Sequence, residues 1–147
     1  MARKTKKRRK KRSSTPPVPT GYDASWDLSD SWEVFEKKAE EWDRRDWVSW
    51  LREHLMFPFE VIRQEDMDDE RYLFGGEPPP EHFAIGSQMT VLGISDAAFE
   101  PDFHGVLVDV QQGRHRSVVP LQDLEVRPKD DPNFWPVREF VVWYANR

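Results

Sequence analysis

The stretch Phe103–Arg127, FHGVLVDVQQGRHRSVVPLQDLEVR, is where the fold is read most directly. Phe103–Gln111 and His115–Val119 read as the arms of a β-hairpin turning at Gln112-Gly113. Leu121–Leu124 reads as a tight turn, and Glu125–Arg127 as a last short strand.

Upstream, Gln88–Ile94 reads as a further strand, and Phe59–Gln64 alternates apolar and polar residues in the manner of another. Two acidic loops separate these strands, Glu65–Pro80 and Ser95–Asp102. Downstream, Trp135–Asn146 reads as a closing helix that tolerates Pro136 in its first turn. Ahead of the strands, Ser31–Leu55 is helical. Asp30 and Glu33 stand at capping-box spacing, and Asp46 marks a fresh start. Trp32, Phe35, Ala39 and Trp42 make one apolar stripe, and Trp47, Leu51 and Leu55 restart it. Pro58 ends this section, because the residue before a proline is pushed out of the helical region. About five short strands, with a tight turn before the last, predict an α+β fold: a small SH3-like β-barrel flanked by N-terminal helices and a C-terminal helix.

The chain has 147 residues, 37% of them hydrophobic, with a mean hydropathy of −0.82. A core this economical needs large side chains, and 7 Trp and 9 Phe supply them. The absence of cysteine excludes disulfides, Cys-ligated zinc, iron–sulfur clusters and thiol nucleophiles. No apolar run reaches the length of a membrane span, and the basic N-terminus lacks the apolar stretch of a signal peptide, so a cytoplasmic, monomeric protein is expected.

Charge is distributed unevenly. Met1–Arg12 holds nine of the 22 basic residues and no acid, which leaves a net charge of −14 on the rest against −5 for the whole chain. Residues 1–20 read as a disordered basic tail with a Pro-rich linker, and 21–147 as one acidic domain. Lys6, Lys7, Arg8, Arg9, Lys10, Lys11 and Arg12 suit sequence-blind contact with nucleic acid or another anionic partner. They equally suit the chain's own acidic body.

An acidic body attracts cations. Calcium takes six to eight oxygens, so closely spaced acids on loops are its candidates. Asp66, Asp68 and Asp69 form one such group, and Asp96, Glu100 and Asp102 a second. Glu53 and Glu60 could add oxygens from the helix side. Asp66, Asp68, Glu70 and Glu77 fall on EF-hand positions one, three, five and twelve, but Arg71 replaces the required glycine and Pro78–Pro80 block an exit helix, so the first group is read as a non-EF site. Either loop could instead be a solvated surface, and the sequence leaves both readings open. His54, His82, His104 and His115 have no zinc spacing, Gly75-Gly76 lacks the context of a phosphate loop, and no serine stands in a nucleophile elbow. No catalytic residues are expected, and the chain is not read as an enzyme. The alternative function is an SH3-like protein- or nucleic-acid-binding module with a basic arm.

Three segments, in order, resemble the small bacterial calcium-binding proteins of the CcbP type. They are Trp47-x-x-x-Leu51-x-x-x-Leu55-x-Phe57-Pro58-Phe59; Gly113-Arg114 with Val119-Pro120-Leu121-x-x-Leu124-Glu125; and Phe140–Arg147, FVVWYANR. The resemblance covers Trp47–Arg147. It implies a compact α+β fold with SH3-like strands, calcium (Ca2+) bound outside the EF-hand pattern as buffer or sensor, and no enzyme activity. The family's acidic pair after the Leu51 position reads Arg52-Glu53 here, so one acid of it carries over. Its tyrosines read Val48, Ser49 and Trp50.

Overall fold

Side-chain caps set where two of the helices begin. The computed structural model describes residues 16–64, 83–96 and 105–146. Helix α1 is Ser25–Leu28, α2 is Trp32–Asp43 and α3 is Trp47–His54. Ser31 caps α2 by accepting from the Val34 amide, one residue later than the Asp30 cap expected from the sequence. Asp46 caps α3 as expected, accepting from the Ser49 amide at 3.3 Å and the Ser49 hydroxyl at 2.9 Å. Each cap satisfies an amide that has no partner inside its own helix. Helix α1 had no counterpart in the sequence reading.

The strands are β1 Phe59–Arg63, β2 Gln88–Ile94, β3 Leu107–Gln112, β4 His115–Pro120 and β5 Leu124–Val126. They form one antiparallel sheet in the order β4-β3-β2-β1-β5. Gln112 pairs with His115, so the β3–β4 loop is Gly113-Arg114, one residue beyond the expected turn. Gly113 has φ +59°, which a residue without Cβ adopts freely and a two-residue hairpin loop demands.

The expected closed barrel is not formed. Strands β4 and β5 are the two edges and are not hydrogen-bonded to each other. Yet the three-residue 3-10 turn Leu121–Asp123 is all that separates them along the chain. In a flat sheet the outer strands would stand about 19 Å apart, while three residues of 3-10 helix rise about 6 Å. The sheet therefore curls strongly without closing its ladder. A register shift between Val91 and Gly93 in β2 adds local twist.

Helix α4, Phe134–Asn146, packs on β5, on the 3-10 turn and on α2 and α3. Val61, Val91, Val108 and Val110 from the sheet are fully buried, as are Trp42, Leu51, Trp135 and Phe140 from the helices. Trp32, expected in the core stripe, is instead 66% exposed. Trp26 of α1 takes the inner position, with its ring 5.0 Å from Trp42, and Trp32 is left stacked outside on Phe35.

One acid sits inside this layer. Glu139 on α4 is 1% exposed. It accepts from Trp42 Nε1 at 3.3 Å and Arg45 Nη1 at 3.5 Å, and it pairs with Lys38 Nζ at 3.2 Å. The Arg45 guanidinium also lies 4.7 Å from the Trp47 ring and 4.2 Å from the Trp50 ring. Glu139 thus ties α4 to α2 and to the α2–α3 junction. Pro17, assigned by sequence to the linker, lies against the domain, its carbonyl accepting from Trp135 Nε1 at 2.9 Å. Among the described residues no helix is long and apolar enough to cross a membrane.

Candidate functional site

The 3-10 turn gathers the roots of both acidic loops at one corner. Pro120 has no amide to continue the β4 ladder, and the chain turns there. The Leu121 amide donates to Val106 O at 2.8 Å, so the turn is anchored where the chain returns from residues 97–104. Two residues on, Asp123 O accepts from the Gln64 amide at 2.6 Å, the last described residue before 65–82. Val106 and Gln64 thus hold residues two apart on the same turn, about 4 Å of 3-10 rise.

Side chains reinforce both anchors. Asp123, 9% exposed, accepts from Arg63 Nη2 at 3.3 Å. Arg63 Nη1 donates to Phe83 O at 2.9 Å, and the Phe83 amide donates to Gln112 Oε1 at 2.7 Å. Arg63 therefore spans the neck of the first loop, from its near side to its far side. At the second loop the Ser95 amide donates to Leu107 O at 2.9 Å. The Gln122 amide group lies over Gly105, where a Cβ would fall 2.4 Å from Gln122 Nε2. Gly105 also has φ +117°, and this backbone conformation calls for glycine, while a Cβ would displace the flexible Gln122 amide. Beside the corner a cavity of about 210 Å³ is lined by Gln64, Gln122, Leu124, Glu125, Val137 and Arg138. Its two charged groups have partners: Glu125 accepts from Arg127 Nε at 2.6 Å, and Arg138 holds Asp27 at 2.8 and 2.9 Å. The bonds to Asp27 raise the Arg138 pKa above its ordinary value.

The sequence-derived ligand candidates fall in different places. Asp66, Asp68, Glu100 and Asp102 lie outside the described residues, as do Lys6, Lys7, Arg8, Arg9, Lys10, Lys11 and Arg12. Asp66 follows the Gln64 anchor by two positions, and Asp102 precedes Gly105 by three. Asp96 is exposed just beyond the end of β2, next to Ser95. Glu53 is exposed on α3. Glu60 pairs in register with Thr90 across β1 and β2. Its carboxylate accepts from the Thr90 hydroxyl and, at 3.4 Å, from Gln88 Nε2, so it already has protein partners. Among the described residues no three acidic or histidine side chains converge as a metal would require.

Sequence reasoning missed the corner itself. The available signals are Pro120 directly before the predicted turn Leu121–Leu124, and Gly105 near the start of the predicted hairpin arm. Nor does the sequence show that Asp123 of this turn pairs with Arg63, sixty residues upstream.

No family model matches the chain, and no curated protein matches it. Among solved structures the chain is similar to the crystal structure of Anabaena CcbP, with 18% identity and a TM-score of 0.48, over 95% of this chain and 90% of that one.

Proposed function

We propose that the chain binds calcium with oxygens from its two acidic loops, beside the corner built on Leu121–Asp123. The observation that carries the reading is the double anchoring of that turn, to Val106 on one side and Gln64 on the other. The ligands assigned to it are Asp66 and Asp68 of the first loop and Glu100 and Asp102 of the second, with Asp96, exposed just beyond β2, as a fifth. Carboxylates brought together repel one another, and a divalent ion wrapped by their oxygens relieves that repulsion. The net charge of −14 outside the basic arm favours a cation. The sequence resemblance over Trp47–Arg147 points the same way.

Glu60 is assigned to the sheet, because its carboxylate already bonds Thr90 and Gln88. We read the sheet as an opened SH3-like barrel whose curl serves to bring the loop roots together. No catalytic role is assigned, and the protein acts as an intracellular calcium buffer or sensor.

Isothermal titration of the whole chain tests the reading. Calcium gives saturable heat, and magnesium, which demands a tighter octahedral site, gives little. Asp66→Asn with Asp68→Asn weakens binding about tenfold or more, or about 1.4 kcal/mol, and so does Glu100→Gln with Asp102→Asn. Glu53→Gln leaves affinity unchanged. Absence of calcium heat from the unmodified chain would remove the function altogether.

A further inference from the structure

Trp32 is the most exposed large apolar side chain among the described residues, at 66%, and it is held in place by stacking on Phe35 with ring centroids 5.5 Å apart. Exposure of one ring needs no explanation by itself; what marks this one is the row of acids that follows it on the same helix. The ring opens an exposed face of α2. Trp32, Glu36, Glu40 and Asp43 follow one another at helical spacing, and all four are exposed. Asp43 accepts from Trp143 Nε1 at 3.0 Å. Among the described residues neither Glu36 nor Glu40 forms an ion pair, although Lys37 flanks them. A ring over which a cation can sit, followed by two unpaired carboxylates, fits a run of lysine and arginine.

We propose that the occupant is this chain's own basic arm, Arg3–Arg12. Nine cationic residues without one acid complement the face in sign. The arm also has the reach. Pro17 is fixed on Trp135 by the 2.9 Å bond from Trp135 Nε1. From Trp135 an unbroken aromatic path leads to Trp32: 5.9 Å to Trp26, 5.0 Å to Trp42, 5.9 Å to Phe35 and 5.5 Å to Trp32. Residues 3–16, at about 3.3 Å each when extended, outreach that path about twofold. A tethered arm meets the face at a high effective concentration, so individually weak cation–ring and exposed ion-pair contacts can suffice. This surface is separate from the calcium corner, and the inference does not rest on calcium binding.

The chain has no cysteine, so Thr5→Cys gives one attachment point for a nitroxide spin label. Amide signals of residues 33–43 in the full-length labelled protein are then measured by NMR. At about 10 mM salt, where the screening length is near 30 Å, those signals lose most of their intensity. They recover at about 1 M salt, where it is near 3 Å. They also recover at low salt in Trp32→Ala/Glu36→Gln/Glu40→Gln, whose surface changes leave the fold intact by circular dichroism. Signals untouched at low salt, or broadening confined to α4 beside Pro17, would overturn the proposal. So would broadening that survives in the triple variant. Equal broadening of an unlabelled, isotope-enriched chain by a spin-labelled one would place the contact between copies and overturn it as well.

Discussion

The helical layer and the 3-10 corner treat negative charge in opposite ways. In the layer one acid, Glu139, is buried among tryptophans and meets Trp42, Arg45 and Lys38. At the corner the described hydrogen bonds hold backbone and neck residues, while most acids of interest stand on the loops beyond. The contrast teaches that burial and charge count do not by themselves mark a cation site in an acidic chain. A buried acid with protein cations around it fixes helices. Loops whose roots share one turn can bring acids together for an ion from solution.

Breaking the layer gives the largest effect. Glu139→Ala leaves Trp42 Nε1 without its acceptor and Lys38 and Arg45 with only the exposed Glu41, and costs about 2–4 kcal/mol, measured as a lower urea midpoint. A loss under about 1 kcal/mol would show that the cluster is dispensable. Breaking the corner costs less. Gly105→Ala forces a Cβ toward the Gln122 amide at φ +117° and destabilises by about 1–3 kcal/mol. Gly105→Ala with Gln122→Ala recovers only part, because the backbone strain persists. Calcium affinity falls in the Gly105 variant and stays unchanged in any Glu139 variant that still folds; the reverse pattern would dissolve the distinction between the two regions.

These effects also mark what could be read from the sequence. The Asp46 cap, strand β2 and the closing helix follow from local chemistry, which is why their positions were legible. The start of β3 was set four residues too early, because FHGV is apolar enough to pass for strand until Gly105 interrupts it. Trp32 was placed inside because helical spacing does not reveal that α1 brings Trp26 to the same space. Glu139 gave no signal, since burial of an acid depends on Lys38 and Arg45, about a hundred residues away in the chain. The candidate site was legible as two acidic loops. That one short turn holds both roots is a property of the curled sheet, which no local pattern encodes.

Tyr22 sharpens the contrast at high pH. Its hydroxyl is buried beside the acidic charge of Glu139, and burial first, then that charge, pushes its pKa well above the ordinary tyrosine value. The unfolded chain loses this proton near pH 10 while the folded chain keeps it. Stability is therefore complete below about pH 10 and falls as pH rises toward the folded pKa. Tyr22→Phe flattens that fall in urea titrations between about pH 9 and 11; an unchanged slope would mean that Tyr22 is not the group responsible. The smallest effect belongs to Trp32→Ala, within about 0.5 kcal/mol of the parent chain, whereas Trp42→Ala costs about 3–5 kcal/mol. Equal losses would return Trp32 to the core.

The most direct measurement is a calcium titration of four chains: the parent, Asp66→Asn/Asp68→Asn, Glu100→Gln/Asp102→Asn, and all four substitutions together. Ligands of one shared ion give losses that do not add, so the combined variant binds little worse than either pair alone. Strictly additive losses, or a second ion retained when either pair is removed, would place the two loops at separate sites and contradict the corner.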